Sequence, residues 1–216
     1  MPDCTLAIET STAQGSVAVW HGGAAVYERS FTSERSHNSQ LFVPLGEALA
    51  LCGAALQRIV VGLGPGSYTG VRNGIAAAQG LAWSRNVPLI GLPSVLAWDA
   101  PEYVLCGDAR RGLFYTAEVK DGRLLDDIQQ QDAEPLIARR EADKGRSWYS
   151  FDDKVPLGLS NVGLVKPQAV MLAKLAALLS DETVFHLEEK PLEPIYLSAP
   201  FITQPKNKAG TAARLA

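Results

Sequence analysis

The sequence predicts an α/β protein of two similar halves, in which mixed sheets are covered by helices. Three observations predict this class. Three strand-like runs separated by short turns open the chain, a glycine-rich turn then joins an apolar strand to a helix, and a second hairpin begins after residue 101. A chain of 216 residues is long enough for two such halves, each with a core.

The first half opens with a predicted antiparallel meander. Alternating apolar residues predict strands over residues 5–10, 15–20 and 24–31, and the turns between them are short. The apolar spacing over residues 37–52 predicts a helix. Pro44 should kink this helix, because proline removes one backbone hydrogen bond.

A strand–helix–strand unit follows the meander. Residues 59–63 and 88–92 predict strands, and residues 70–84 predict the helix between them. Because a helical crossover returns the chain in the same direction, these two strands should be parallel.

The second half repeats the hairpin opening of the first. We predict subdomains over residues 1–100 and 101–203, followed by a tail over residues 204–216, which lack apolar periodicity. A helix with Pro167 in its first turn is predicted over residues 167–180. The predicted strands of this half occupy residues 103–106, 113–120, 123–128, 148–151 and 183–186.

The net charge argues against nucleic-acid binding by bulk charge and leaves open a local basic patch. The net charge of −3 argues against a chain that binds nucleic acid by bulk charge alone. Arg110-Arg111 and Arg139-Arg140 are candidates for a local basic patch, although paired arginines are usually solvated surface.

Cysteine usage and hydropathy point to the cytoplasm. Cys4, Cys52 and Cys106 have no metal-ligand spacing and are expected to be buried free thiols. The N-terminus carries no signal-peptide pattern, and no run reaches ~18 apolar residues, so we expect a cytoplasmic protein without a membrane span.

The glycine-rich stretch GLGPGSYTGVRNG, residues 62–74, has two interpretations. It lacks the Gly-Lys-Ser/Thr ending of a P-loop and the spacing of a dinucleotide fingerprint. The backbone N–H groups at the start of the helix could still bind an anion, with help from Arg72. Alternatively, Pro65, Gly66 and Gly70 permit a sharp turn and close packing of the helix on the strand.

The end of the first strand resembles a nucleotide loop that has lost its key residues. Sugar-kinase and actin-like folds hold phosphates here with an Asp-x-Gly-Thr-type loop, but this chain has Glu9-Thr10-Ser11 with no glycine directly after Glu9. The Gly-Gly pair that packs on adenine late in that fold is also missing. Glu9, Thr10 and Ser67 are therefore candidates only for a vestigial nucleotide loop.

No catalytic or metal site is predicted from the residues. His21, His37 and His186 cannot share one helix face, and neither His-Glu-x-x-His nor Gly-x-Ser-x-Gly occurs. Asp108 follows a strand and is interpreted as a turn residue.

Six segments together resemble the bacterial TsaB (YeaZ) family in order and spacing. They are LAIETSTAQGSVAVW, RSHNSQLFVPL, GLGPGSYTGVRNGIAAAQGLAW, IGLPSVLAW, DARRGLFY and EPIYLSAP, and GPGSYTGVR is the most specific. The resemblance is dense over residues 4–120 and thin from there to about residue 160. It implies the actin/Hsp70/sugar-kinase-like (ASKHA) fold of two duplicated subdomains, with mixed sheets and helices.

The resemblance also implies a function and partners. Proteins of this family are required for threonylcarbamoyladenosine (t6A) beside the anticodon in tRNAs that read codons starting with adenine. The implied role is a noncatalytic scaffold subunit that pairs with the catalytic paralogue TsaD and the ATPase TsaE, forms a homodimer in isolation, and meets tRNA only through the complex. It implies no cofactor of the chain's own and ATP at the level of the complex.

One departure separates this chain from the catalytic paralogue. TsaD-like chains carry a His-x-x-x-His metal motif after the fifth strand, whereas residues 92–98 here contain no histidine. Two alternatives stay open: a glycoprotease-type peptidase, and a weak nucleotide-binding or ATPase protein.

The second helix is predicted to have an interface on its outer side. Its apolar residues form one broad face that should pack on the sheet, yet the opposite face also carries small residues and a tryptophan. The resemblance supports this prediction, because TsaB-like proteins pair through their first two helices. The predicted interface residues are His37, Leu41, Leu45, Asn73, Ala76, Gly80 and Trp83.

Overall fold

Two mixed β-sheets, one from each half of the chain, form the framework of the computed structural model, which describes residues 4–32 and 37–197. The side chains of residues 37–39 and the predicted tail lie outside the described part.

The first sheet contains five strands in the order β3-β2-β1-β4-β5. Strands β1, β2 and β3 are antiparallel neighbours, whereas β1, β4 and β5 run parallel to one another. Both the predicted meander and the predicted parallel pair are therefore confirmed. The strands are β1 (Cys4–Glu9), β2 (Gln14–His21), β3 (Ala24–Thr32), β4 (Leu56–Gly62) and β5 (Leu89–Leu92).

Two helices cover one face of this sheet. Helix α1 (His37–Cys52) continues through Pro44, and α2 (Tyr68–Arg85) crosses from β4 to β5. Whether proline kinks α1 stays a prediction. The two helices bury their apolar faces on the strands, which forms a cluster that includes Leu6, Ile8, Val17, Leu41, Leu45, Ile59, Val61, Val71, Ile75 and Ala78.

The second sheet has the order β11-β10-β6-β7-β8, and a short strand, β9, also pairs with β7. Helix α3 (Ala133–Ala142) covers its outer face, where Leu136 is buried with Val104, Cys106 and Trp148. The strands are β6 (Glu102–Arg110), β7 (Leu113–Lys120), β8 (Arg123–Leu124), β9 (Gln129–Gln131), β10 (Trp148–Ser150) and β11 (Val162–Leu164).

The last two helices return from the second half to the first sheet. Helix α4 (Ala169–Ala177) buries Leu172 and Ala173 in a core shared by both sheets, and α5 (Asp181–Glu188) follows it. The Ala169 N–H donates to Ser16 Oγ at 2.9 Å. The predicted division at residues 100 and 101 and the tail from residue 204 remain predictions.

Three expectations about the second half are wrong. Residues 183–186 lie in α5 and not in a strand, because Ser180 caps the helix by accepting from the Thr183 N–H and two acidic residues occupy its first turn. The strand predicted over residues 123–128 is only two residues long. Asp108 lies inside β6, opposite Phe114, and is not a turn residue.

Candidate functional site

The glycine-rich turn between β4 and α2 packs directly on the end of β1. Ser67 caps α2 with its hydroxyl, which accepts from the Gly70 N–H at 3.1 Å. The Ser67 N–H donates to the Ser11 carbonyl at 2.6 Å, and Thr10 Oγ1 donates to the Gly70 carbonyl at 2.8 Å. The turn and the end of the first strand thus form one hydrogen-bonded unit.

The glycines of this turn are explained by close backbone approach. A Cβ at Gly66 would lie well under 3.0 Å from the Ser11 carbonyl oxygen, and a Cβ at Gly70 equally close to that of Thr10. Neither of these glycines has a positive φ, whereas Gly64 has a φ of 86°. Close packing of the helix on the strand is therefore sufficient to account for Gly66 and Gly70.

Glu9 is completely buried beneath the turn. Its Oε1 accepts from the Ser11 N–H at 2.6 Å, whereas Oε2 has no hydrogen-bond partner among the described residues. Burial raises the pKa of Glu9 above its ordinary value, and the nearby polar groups of Ser11, Ser94 and Thr10 only oppose this effect. The geometry makes Glu9 a part of the core and not a residue open to a ligand.

A cleft of about 1140 Å³ opens beside this unit, between the two halves. The first half contributes residues 11–13 and 65–69 to its walls, the second half contributes residues 108–112 and 151–157, and residues 195–197 close one side. Its size is that of a small-molecule or nucleotide site. Of the predicted nucleotide-loop residues Glu9, Thr10 and Ser67, only Ser67 lines the cleft.

The arginines of the first candidate basic patch, Arg110 and Arg111, line the cleft. Arg110 and Arg111 have left-handed backbones, with φ of 71° and 57°, which is uncommon for residues other than glycine. The Arg110 N–H donates to Asp108 Oδ1 at 2.7 Å, and the Asp108 N–H donates to Asp152 Oδ2 at 2.9 Å. Burial raises the pKa of Asp152.

The arginines of the second candidate patch, Arg139 and Arg140, bind other residues of the protein. Arg139 pairs with Glu118, and the buried Arg140 guanidinium donates to the carbonyls of Asp143, Ser160 and Asn161. These arginines hold α3 in place and do not form a basic surface.

The predicted interface surface on α2 is exposed as expected. Trp83 is 90% exposed, Ala76 and Gly80 are also exposed, and Asn73 is half-buried. A Cβ at Gly80 would meet no atom within 4 Å. Two small residues, Ala76 and Gly80, and the large aromatic ring of Trp83 are therefore exposed on the same helix.

On α1 the interface prediction needs a correction. Leu41 and Leu45 are buried in the core beneath the helix, so neither can border an exposed surface. The side chain of His37 lies outside the described residues. Among the side chains of α1 that the structure describes, the large apolar ones that are exposed are Phe42, Val43 and Leu51. The signal that could have found them is an apolar stripe wider than one helix face needs.

The described residues include neither a metal cluster nor a membrane helix. No group of three or more His, Cys, Asp or Glu side chains in that part of the chain could hold a metal ion. Within the same residues, no helix is long and apolar enough to cross a membrane. Cys4, Cys52 and Cys106 are buried free thiols, as predicted.

Sequence comparisons connect this fold to known proteins. The family model described as "TsaD: tRNA N6-adenosine threonylcarbamoyltransferase" matches residues 31–144, which is just over half of the chain. The chain is 28% identical to the tRNA threonylcarbamoyladenosine biosynthesis protein TsaB of Haemophilus influenzae over 221 residues, covering 89% of this chain and 92% of that protein. It is 37% identical to TsaB of Escherichia coli over 124 residues, covering 52% and 53% of the two chains.

Solved structures agree on the fold. YeaZ from Pseudomonas aeruginosa superposes with a TM-score of 0.64 at 22% identity, covering 90% of this chain and all of that one. A crystal structure described as an uncharacterized protein with similarity to peptidase YeaZ from Pseudomonas aeruginosa superposes with a TM-score of 0.68 at 24% identity, covering 91% of this chain and all of that one. The predicted fold class is confirmed, and the chain belongs to the TsaB (YeaZ) family, within the group that the TsaD model describes.

Proposed function

We propose that this protein is the noncatalytic scaffold subunit of the complex that transfers a threonylcarbamoyl group to the adenosine beside the anticodon. Family membership supports the pathway, since the relatives at 28% and 37% identity are named tRNA threonylcarbamoyladenosine biosynthesis proteins. The tRNAs concerned are those that read codons starting with adenine.

The outer face of α2 is the observation that carries the scaffold role. Trp83 is 90% exposed beside Ala76 and Gly80, which form a small-residue surface that another helix can approach closely. The proposed partners for this face are a TsaD-like paralogue in the complex and a second copy of the chain in isolation. A TsaE-like ATPase joins the assembly.

The noncatalytic role is supported by the residues that occupy the position of the paralogue's metal motif. Residues 92–98 contain no histidine, and Ser94 instead lies buried, where its hydroxyl accepts from the Gly64 N–H at 2.9 Å. We propose that the chain has no cofactor of its own, that ATP is used by other subunits, and that the complex works in the cytoplasm.

Weak nucleotide binding is the second candidate function. The cleft of about 1140 Å³ favours it, whereas the burial of Glu9 and Thr10 does not. No observation favours a peptidase.

Reconstitution tests the proposed function. The purified chain is mixed with a TsaD-like protein, a TsaE-like ATPase, threonylcarbamoyl-adenylate and unmodified tRNA in the presence of ATP, and t6A is measured by mass spectrometry of the digested tRNA. We expect modification only when this chain is present. Equal modification without the chain would contradict the scaffold role.

A further inference from the structure

We propose that the cleft binds unpaired RNA bases directly, with Tyr68 and Tyr196 as the stacking surface and cationic residues of its lining as phosphate contacts. The identity of that RNA, a tRNA loop, rests on the proposed function. The inference goes beyond the expectation that tRNA is met only through the complex, because this chain would contribute a direct contact.

The stacking surface is a pair of exposed tyrosines that line the cleft. The ring centroids of Tyr68 and Tyr196 are 5.4 Å apart at an interplanar angle of 29°, and the two residues are 53% and 46% exposed. The Arg72 guanidinium lies 4.9 Å from the Tyr68 ring centroid and donates to its hydroxyl. An unpaired base can stack on exposed rings that have an arginine beside them, because every base has a π-face.

Both tyrosines are held by rigid elements. Tyr68 is the first residue of α2, directly after the Ser67 cap. Tyr196 is fixed on both sides, because the Ile195 N–H donates to the Leu63 carbonyl at 2.8 Å and the Leu197 carbonyl accepts from Gln130 Nε2. The stacking surface is therefore formed before a ligand arrives, which lowers the entropic cost of binding.

The second half of the chain contributes three cations to the lining of the cleft. Arg110, Arg111 and Lys154 all line the cleft, and the two arginines stand at the hairpin turn between β6 and β7, where a left-handed backbone is usual. Lys154 is exposed and has no ion-pair partner among the described residues. A phosphate chain with bases stacked on Tyr196 could thus meet positive charge in the cleft.

Three carboxylates in the same cleft moderate this charge. Asp153 pairs with Lys166 at 2.7 Å, Asp108 lies 3.4 Å from the Arg110 guanidinium, and Asp152 is partly buried. The balance of charges predicts modest affinity that depends more on stacking than on phosphate contacts. It agrees with the net charge of −3, which argues against binding by bulk charge.

The geometry favours RNA bases over a free nucleotide. The loop after β1 that would hold phosphates already makes contacts within the protein. The Ser11 carbonyl accepts from the Ser67 N–H, and Glu9 lies in the core. The exposed part of the cleft lining includes Tyr68 and Tyr196, which consecutive bases of a strand can reach.

Fluorescence anisotropy on the full chain at low ionic strength tests the proposal. The probes are a labelled RNA hairpin with an unpaired adenine-containing loop, the same stem as a blunt duplex, and labelled ATP. Tyr196→Ala should weaken hairpin binding about tenfold, whereas Tyr196→Phe, which keeps the ring, should restore it. Lys154→Gln should lower the salt dependence by about one released ion, whereas Arg123→Gln, which removes an exposed charge outside the cleft, should not.

Several outcomes of the binding experiment would overturn the proposal. Absence of hairpin binding, equal binding by Tyr196→Ala with native circular dichroism, or equal binding of the duplex would exclude base stacking on this surface. ATP binding as tight as that of the hairpin would assign the cleft to a nucleotide instead. If the reconstituted mixture modifies tRNA only with this chain while the hairpin does not bind, the proposed function is supported and the RNA contact is excluded. If modification does not need the chain, the anisotropy result still decides the RNA contact.

Discussion

The backbone of Gly62 lies against the carboxyl group of Glu9. A Cβ at position 62 would fall well under 3.0 Å from Glu9 Oε2, on a neighbouring parallel strand of the same sheet. The glycine therefore makes the space in which the carboxyl group is enclosed. Glycine also permits close approach in the turn and at the start of α2, where Gly66 and Gly70 lie against the backbone of Ser11 and Thr10.

Two glycine-to-alanine changes in α2 should have opposite effects on stability. Gly70→Ala should lower the free energy of unfolding by about 1–3 kcal/mol, because its Cβ would collide with the Thr10 backbone carbonyl. Gly80→Ala should raise it by about 0.5–1 kcal/mol, because Gly80 lies inside the helix with open space around it. Urea unfolding followed by circular dichroism measures both.

This pair is its own control for helix propensity, because both changes are the same substitution in one helix. If Gly70→Ala stabilised the protein as Gly80→Ala is expected to, close packing could not be the reason for the glycine.

Glu9→Gln should change the pH dependence of stability. Burial raises the pKa of Glu9 in the folded protein above 4.5, so the unfolded chain loses this proton first as pH rises. The stability that the carboxyl group contributes is thus present at low pH and is lost as pH rises through the folded-state pKa. The glutamine variant keeps an acceptor for the Ser11 N–H but does not titrate, so it should gain stability relative to the native chain as pH rises above the ordinary pKa of a glutamate, 4.5, and through the raised pKa of Glu9.

Urea unfolding of both proteins across this pH range is the measurement. Parallel stability curves for the native chain and the variant would mean that Glu9 titrates alike in the folded and unfolded states. Glu28→Gln, the same substitution at an exposed position on β3, serves as the control.

Periodicity and turn chemistry are enough to predict the first sheet and its helices, because the elements there, apart from the four-residue β5, are long and regular. The short elements of the second half were harder to predict. The apolar run around Phe185 looks like a strand over four residues, but the capping Ser180 and the acidic pair after it make it a helix. Helix α3 was missed although Asp132 precedes it and Pro135 stands in its first turn.

The cleft could not be predicted from sequence spacing. Its walls come from segments as far apart as Ser11 and Leu197, and only the packing of the folded chain brings them together. The assignment of Leu41 and Leu45 to the surface failed for a related reason. The spacing identified the apolar residues of α1, but the depth of each residue depends on how the helix is rotated on the sheet.

A buried arginine should contribute far more to stability than its exposed partner. Arg58 is 6% exposed, and its Nη1 donates to the Ala176 carbonyl at the end of α4 at 2.8 Å. Arg58→Met should lower the free energy of unfolding by about 1–3 kcal/mol, because it removes this bond and leaves the carbonyl unpaired. Asp181→Asn should lower it by much less, because Asp181 is fully exposed and 3.7 Å from the guanidinium, so only a weak ion pair and one first-turn charge of α5 are lost. Equal shifts of the urea midpoint in both variants would show that the ion pair, and not the helix-end bond, is what matters.

Ala76→Arg should disrupt association while leaving the fold intact. Ala76, Gly80 and Trp83 follow each other at helical spacing on the exposed side of α2, so an arginine at position 76 would place a long charged side chain where a partner helix is expected to approach. Circular dichroism and the melting temperature should stay native, because the side chain points away from the core. Self-association in light scattering and binding of a TsaD-like protein in calorimetry should both weaken by about tenfold or more. Ala142→Arg makes the same change at an exposed position of α3 and should leave both unaffected. If Ala76→Arg is folded and binds as the native chain does, the interface lies on another face of the molecule.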